Sequence, residues 1–222
     1  MARMPVAKRR ELLLEAAFRV ISRHGVDGAT TRAICAEAQM TLSTFHYVFD
    51  SRDDLLAALV QRGTDSELAV IAASLTDATA DRPSGADGLR NILRESLFGY
   101  LDGVIADPER EQAMISLNQY ARQAKGLTQS GGEMYLRYYE AIAYGLALAA
   151  QMTAVEWDEP VDDLAPLVVA ATDGITLAYL NTRDEKVCRR IAEAAVLMLL
   201  THVREPLGSH TTTHRDDNTR GT

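Results

Sequence analysis

The chain has 222 residues, enough for a substantial buried core, and its 31 Asp and Glu against 23 Lys and Arg leave a net charge of −8. An acidic total argues against nucleic acid as a partner, but residues 1–52 hold eight basic and five acidic side chains, net +3, while the rest hold 15 basic and 26 acidic, net −11. Cys35 and Cys188 are too few and too far apart for a disulfide framework. With no secretory leader or apolar run of transmembrane length evident, a reduced, soluble, cytoplasmic protein with no membrane partner is expected.

Apolar residues recur three or four apart almost throughout, which predicts an all-α fold of about nine helices. The first helix is expected from about Val6 to His24 and ends at Gly25, a natural left-handed terminator. Thr30 or Thr31 can cap a second short helix whose apolar side is Ala33, Ile34 and Ala38. Gln39-Met40-Thr41 makes a turn, Thr41 caps a third helix, and Phe45 and Phe49 are spaced to anchor that helix inward. Ser51-Arg52-Asp53-Asp54 fits a capping box opening a fourth helix that runs to about Leu75.

Thr76 to Gly88, with Pro83 and Gly85, breaks the period and reads as a loop. Helices are then expected at about 86–106 and 108–125, the second with Asp107 as cap and Pro108 at its first position. After a break at Gly126 to Gly132 come 133–152, a loop with Trp157 and Pro160, then 161–181 and 184–205, with Thr182-Arg183-Asp184-Glu185 as another capping box. Residues 206–222 are polar and expected to be disordered; His210 and His214 lie there at a metal-binding spacing, but no metal or other cofactor is expected.

Residues 30–55 therefore hold two short helices around a three-residue turn, the layout of a helix-turn-helix, whose second helix enters the major groove of DNA. Two packed helices in an all-helical protein would share this spacing, and an N-terminal region contacting protein in a carrier or sensor is the rival reading. If the segment reads DNA, Ser43 and Thr44 can reach base edges and Leu42 a thymine methyl; Thr41 and His46 also face outward. Thr31 and Tyr47 are phosphate donors, Lys8, Arg9 and Arg10 track the backbone, and Arg52 with the start of helix four can hold a phosphate.

Residues 6–60 resemble the N-terminal domain of TetR-family transcriptional regulators, on Gly25, Thr30-Thr31, Ile34, Ala36, Ala38, Phe45, Tyr47, Phe49 and Ser51-Arg52-Asp53-Asp54-Leu55. Three positions depart from the family pattern: Gln39 stands for its usual turn Gly, His46 for an aromatic residue and Val48 for a His. The resemblance implies a helix-turn-helix domain over residues 1–52. A helical ligand-binding and dimerisation domain over 53–205 would dimerise through its last two helices. It implies a homodimeric repressor that binds double-stranded, pseudo-palindromic operator DNA and is released by a small apolar or amphipathic effector.

Independently, Leu164, Leu167, Val168, Ala171, Ile175, Ala178 and Tyr179 form one stripe and Ile191, Ala194, Ala195, Met198 and Leu199 another; these can build a dimer bundle or serve the monomer's own core. Candidate pocket residues on the middle helices are Tyr100, Met114, Leu117, Tyr120, Met134, Tyr138, Met152 and Trp157, with Asn118, Glu140 and Asp173 as polar selectors. No Gly-rich phosphate loop, nucleophile elbow or clustered metal-ligand set is found, so the chain is not expected to be an enzyme.

Overall fold

A computed structural model describes residues 4–76, 84–124 and 128–204, with side chains apart from those of 70–76 and 128–131. The expected tail 206–222 with His210 and His214, and most of the 76–88 loop, lie outside these residues. Nine helices are present among them: α1 (Val6–Gly28), α2 (Thr31–Glu37), α3 (Leu42–Val48), α4 (Arg52–Thr76), α5 (Ala86–Ala106), α6 (Pro108–Gln123), α7 (Thr128–Thr153), α8 (Val161–Thr182) and α9 (Glu185–Leu200).

The caps explain where the short helices begin. Thr30 accepts from the Ala33 amide at 3.2 Å, so Thr30 rather than Thr31 caps α2, and Thr31 is its first residue. Thr41 accepts from the Thr44 amide at 3.2 Å and caps α3. At α4 the Ser51 hydroxyl accepts from the Asp54 amide at 3.0 Å while the Asp54 carboxylate accepts from the Asp50 amide, one residue earlier than a strict capping box. Gly25, at φ 69 and ψ 175, breaks the helical path inside α1 where the chain was expected to stop.

Between α2 and α3 the Gln39 amide donates to Ala36 and the Met40 amide to Cys35, the paired bonds of a Schellman turn, with Gln39 in the left-handed position at φ 54. The turn geometry that usually calls on glycine is thus kept by a residue that carries a side chain.

Two further boundaries and one cap differ from the sequence expectation. α7 begins at Thr128 and runs through Gly131 and Gly132 despite glycine's low helix propensity. α9 ends at Leu200, and Val203–Arg204 pairs antiparallel with Glu156–Trp157, two strands (β1, Glu156–Trp157; β2, Val203–Arg204) too short for alternation to reveal. α9 is capped by Asp184, which accepts from the Lys186 and Val187 amides, and not by a box from Thr182, whose hydroxyl instead accepts from the Asp184 amide.

Two apolar cores result. One joins Leu13, Ile21, Ile34, Phe45, Phe49, Leu55 and Leu59 of α1 to α4 with Met114, Leu117 and Ala121 of α6 and Met134 of α7. It therefore runs without interruption past residue 52. At its centre Gly63 of α4 lies so close to α6 that an added Cβ would sit 2.3 Å from Sδ of Met114 and 3.5 Å from the Phe18 ring. The other core packs Leu89, Leu93, Leu97 and Leu101 of α5 against Leu146, Leu164, Ile175, Cys188, Val196 and Leu199 of α7 to α9.

α8 is the apolar run that the sequence reading passed over. It spans 22 residues, and its most apolar 18-residue stretch has mean hydropathy 1.3, long and apolar enough to cross a membrane. Here its inner face, including Leu164, Val168 and Ile175, is spent on the second core.

Candidate nucleic-acid interface and effector site

The α3 face opposite Phe45 and Phe49 is open. Thr41, Leu42, Ser43, His46 and Tyr47 are exposed, and Thr44 is half-buried. Phe45 is fully buried, and His46 meets its ring edge-on, which steadies the imidazole on the outer side. At the helix start Oγ1 of Thr41 lies 2.8 Å from Oγ of Ser43 and 3.0 Å from Oγ1 of Thr44. Three hydroxyls thus gather at the positive end of the helix, groups that can either donate or accept.

The surrounding cations are not equally available. Lys8 pairs with Glu11 at 2.9 Å on the open surface, where an ion pair is weak and phosphate can compete for the ammonium. Arg19 and Arg23 both hold Glu37. Arg10 lies over the Phe49 ring at 4.8 Å. Arg9 is half-buried and Arg32 exposed, and neither makes an ion pair among the described residues; Arg32, the second residue of α2, was not among the expected phosphate contacts.

Arg52 has a different task from the one expected. Its Nε donates to the Ala29 carbonyl at 2.8 Å, Nη2 donates to the Val26 carbonyl, and Nη1 donates to the Tyr120 hydroxyl at 3.0 Å, with the Tyr120 ring beneath the guanidinium. The position at a helix start suggested phosphate binding, but the side chain turns inward and closes the end of α1. Tyr120 is consequently a strut between α4 and α6. Met114, Leu117 and Met134, also expected around a pocket, pack in the first core. Met152 and Trp157 pack on the second, where the Trp157 indole donates to the Leu146 carbonyl at 3.0 Å. Glu140 is exposed.

Of the remaining expected pocket residues, Tyr100, Tyr138 and Asp173 belong to a polar centre in the body, and Asn118 is buried on α6. Tyr138 donates to Glu67, Tyr135 donates to Asp173 at 2.7 Å, and the Tyr100 hydroxyl lies 2.6 Å from that of Thr176. Burial pushes the Glu67 carboxyl up to about 7, against the pull of the Tyr138 hydrogen bond, with Glu111 and Asp173 adding repulsion. Burial likewise raises Glu111 and Asp173. The Tyr100 phenol is raised first by burial, then by Glu111, Glu67 and Asp173 together, so all three carboxylates bear on one place.

Sequence reasoning missed Glu67 and Glu111, although a signal exists. Leu56, Val60, Gly63 and Glu67 fall on one helical stripe, as do Glu111, Met114 and Asn118, so each carboxylate continues an otherwise inward face. The acids do not form a metal-ligand set: no group of three or more His, Cys, Asp or Glu placed to hold a metal ion occurs among the described residues.

Residues 13–59, which include the exposed reading face and its caps, match the family model described as bacterial regulatory proteins, tetR family. The chain is 23% identical over 196 residues to the nicotine-responsive transcriptional repressor HdnoR of Paenarthrobacter nicotinovorans, covering 86% of this chain and 96% of that protein. Its fold matches that of a transcriptional regulator from Pseudomonas aeruginosa PAO1 (TM-score 0.70, 22% identity, 90% and 93% covered). It also matches that of a regulator from Saccharomonospora viridis in complex with choline (TM-score 0.70, 19% identity, 90% and 100% covered). Residues 13–59 thus carry the helix-turn-helix segment of bacterial tetR-family regulators, and the chain as a whole shares the fold of these solved regulators.

Proposed function

We propose that the protein is a cytoplasmic homodimeric repressor that holds a pseudo-palindromic operator through two copies of α3 and is released by a small amphipathic effector bound in the body. The observation that carries this reading is the continuous first core: α6 packs into the same apolar cluster as the reading helix, and Arg52 ties α1, α4 and Tyr120 of α6 together. Displacement of α6 therefore moves the head as a unit.

In this reading Ser43, Thr44 and His46 meet base edges, and Leu42 meets a thymine methyl. Thr31, Tyr47, Lys8, Arg9 and Arg32 meet phosphates. Thr41 serves mainly to cap the helix. Dimerisation uses the outward side of α8 and α9, where Leu167, Leu177, Val187 and Leu197 are 38%, 46%, 40% and 49% exposed. Ala170, Gly174 and Ala194 share that side and permit close approach. The inner residues Leu164, Val168 and Ile175 serve the monomer's core, so the stripes read from sequence divide between the two tasks.

Effector binding lowers DNA affinity only in so far as it favours a dimer whose reading helices no longer match half-sites about 34 Å apart. HdnoR is nicotine-responsive and the Saccharomonospora regulator was captured with choline, which supports a small organic molecule as effector here.

The test is selection from a random duplex pool followed by salt titration. A palindromic consensus is expected, with Ser43→Ala changing base preference at one position by about 1–3 kcal/mol. Lys8→Ala is expected to weaken all sequences alike and reduce the salt slope by about 1. Recovery of no preferred sequence would overturn the reading.

A further inference from the structure

We infer that the polar centre of the body is a binding site for an organic cation that also carries a hydrogen-bond acceptor, held by Glu67, Glu111 and Asp173 among the rings of Tyr100 and Tyr138, with Asn118 meeting the acceptor. The inference rests on the effector-controlled reading above and names the chemistry of its effector.

The first support is the charge left unanswered. Three partly buried acids from α4, α6 and α8 are held by neighbouring phenols or lie beside one guanidinium: Tyr138 donates to Glu67, Tyr135 donates to Asp173, and Arg110 stands between Glu67 and Glu111. The cation among them is Arg110, and it answers them poorly. Nη2 of Arg110 lies 3.8 Å from Glu67 and Nη1 lies 3.8 Å from Glu111, close enough to feel the charge and too far for a hydrogen bond. Nη2 is buried and has no hydrogen-bond partner among the described residues. Buried carboxylates are ordinarily paired and hydrogen-bonded, so a guanidinium at this distance is a place-holder that a better-fitting cation can displace.

The second support is independent of the acids. The Asn118 side chain is 9% exposed and its amide nitrogen is buried with no hydrogen-bond partner among the described residues. Asn118 lies two turns beyond Glu111 on the same face of α6, so its unpaired donor is directed to the side of the helix from which Glu111 faces the other carboxylates. An orphaned buried donor of this kind needs an acceptor that the protein does not supply.

The third support is the shape of the chemistry. The acids do not converge as metal ligands do. Carboxylates that neighbour phenols, as Glu67 does Tyr138 and Asp173 does Tyr135, suit a bulky, delocalised or alkylated ammonium, which aromatic faces attract and which requires no close ligand shell. An open groove of about 410 Å³ between α1, α4 and α6 is walled by Gly63, Ser66 and Arg110, so the guanidinium that faces Glu67 and Glu111 also borders this groove.

The test uses isothermal titration of the full-length protein with (2-phenoxyethyl)trimethylammonium, its uncharged carbon isostere (3,3-dimethylbutoxy)benzene and the anion 4-phenoxybutanoate. The cation is expected to bind at least about tenfold more tightly than either analogue. Glu67→Gln is expected to weaken the cation at least about tenfold without changing binding of the isostere. Should Glu67→Gln not fold, Glu111→Gln with a circular-dichroism check carries the same expectation. Equal affinity for cation and isostere, no cation binding at millimolar concentration, or unchanged cation affinity in a folded variant would overturn the inference. The titration is repeated on the complex with the selected duplex. Release by the isostere or the anion alone keeps the effector-controlled reading and overturns the cation site. Cation binding without release keeps the site and overturns that reading.

Discussion

The head and the body treat polar atoms in opposite ways. In α1 to α3 the large buried side chains are apolar, and the hydroxyls of Thr30 and Thr41 sit at helix ends where unpaired amides need them. In the body, carboxylates and phenols from five helices are drawn inside, and the two buried side-chain nitrogens without a hydrogen bond among the described residues, on Arg110 and Asn118, both belong to α6. A domain that presents one rigid face to DNA gains by settling every internal group. In the proposed function the body answers a second molecule, and its unsettled internal groups are ones that molecule can settle.

The comparison is broken most severely at Arg52, where the two regions meet. Arg52→Ala removes the donors to the carbonyls of Val26 and Ala29, both residues buried. At about 1–3 kcal/mol for each orphaned acceptor, a loss of about 4 kcal/mol is expected in urea unfolding. DNA affinity should fall only through the folded fraction. A variant of unchanged stability that still loses DNA would restore Arg52 to the phosphate contacts.

Glu67 tests whether the body's polar centre costs stability. Its carboxyl titrates near 7 when folded and near 4.5 when exposed, so between these values the folded state holds a proton the unfolded state has released. Stability attributable to this group therefore falls as pH rises from about 4.5 to 7. It is unaffected below that window and carries the full cost above it. The groups acting on it are Tyr138 from α7, Arg110 and Glu111 from α6 and Asp173 from α8, of which only the hydrogen bond from Tyr138 and the charge of Arg110 favour ionisation. Glu67→Gln should be more stable than the parent by up to about 3 kcal/mol at pH 8 and by little at pH 4.5. A stability difference that is the same at both pH values would show the carboxylate to be solvated.

The smallest effect sharpens the picture of the head. Gln39 occupies a left-handed position at a cost of about 1 kcal/mol relative to glycine, part of which glycine's greater unfolded-state freedom offsets. Gln39→Gly is expected to raise head stability by somewhat under about 1 kcal/mol, measured by thermal unfolding, with unchanged duplex preference. A change in preference would mean that the Gln39 side chain itself contacts DNA.

What could be read from the chain follows the same division. Gly25, Thr30, Thr41 and Ser51 mark helix ends through local hydrogen bonds, and local chemistry is visible in sequence. Phe45 and Phe49 are four apart on a short helix otherwise rich in polar residues, so their inward face was plain. Arg52 was misread because its partners lie 23 and 26 residues earlier in the chain, at Ala29 and Val26, beyond any local rule. Glu67 and Glu111 were overlooked because acids default to solvent, and only their place on an apolar stripe says otherwise. The second strand escaped notice because two residues cannot show an alternating pattern.

The contact between Gly63 and Met114 bears on how the two regions can move past one another. A helix pair held apart by branched side chains interlocks, and sliding it means lifting one ridge over another. Here one helix offers bare backbone, and the other covers it with a thioether on three rotatable bonds. The joint can therefore yield by turning one methionine through its rotamers, in the manner of a greased bearing. Any residue larger than glycine at position 63 would act as a brake, whatever the effector proves to be.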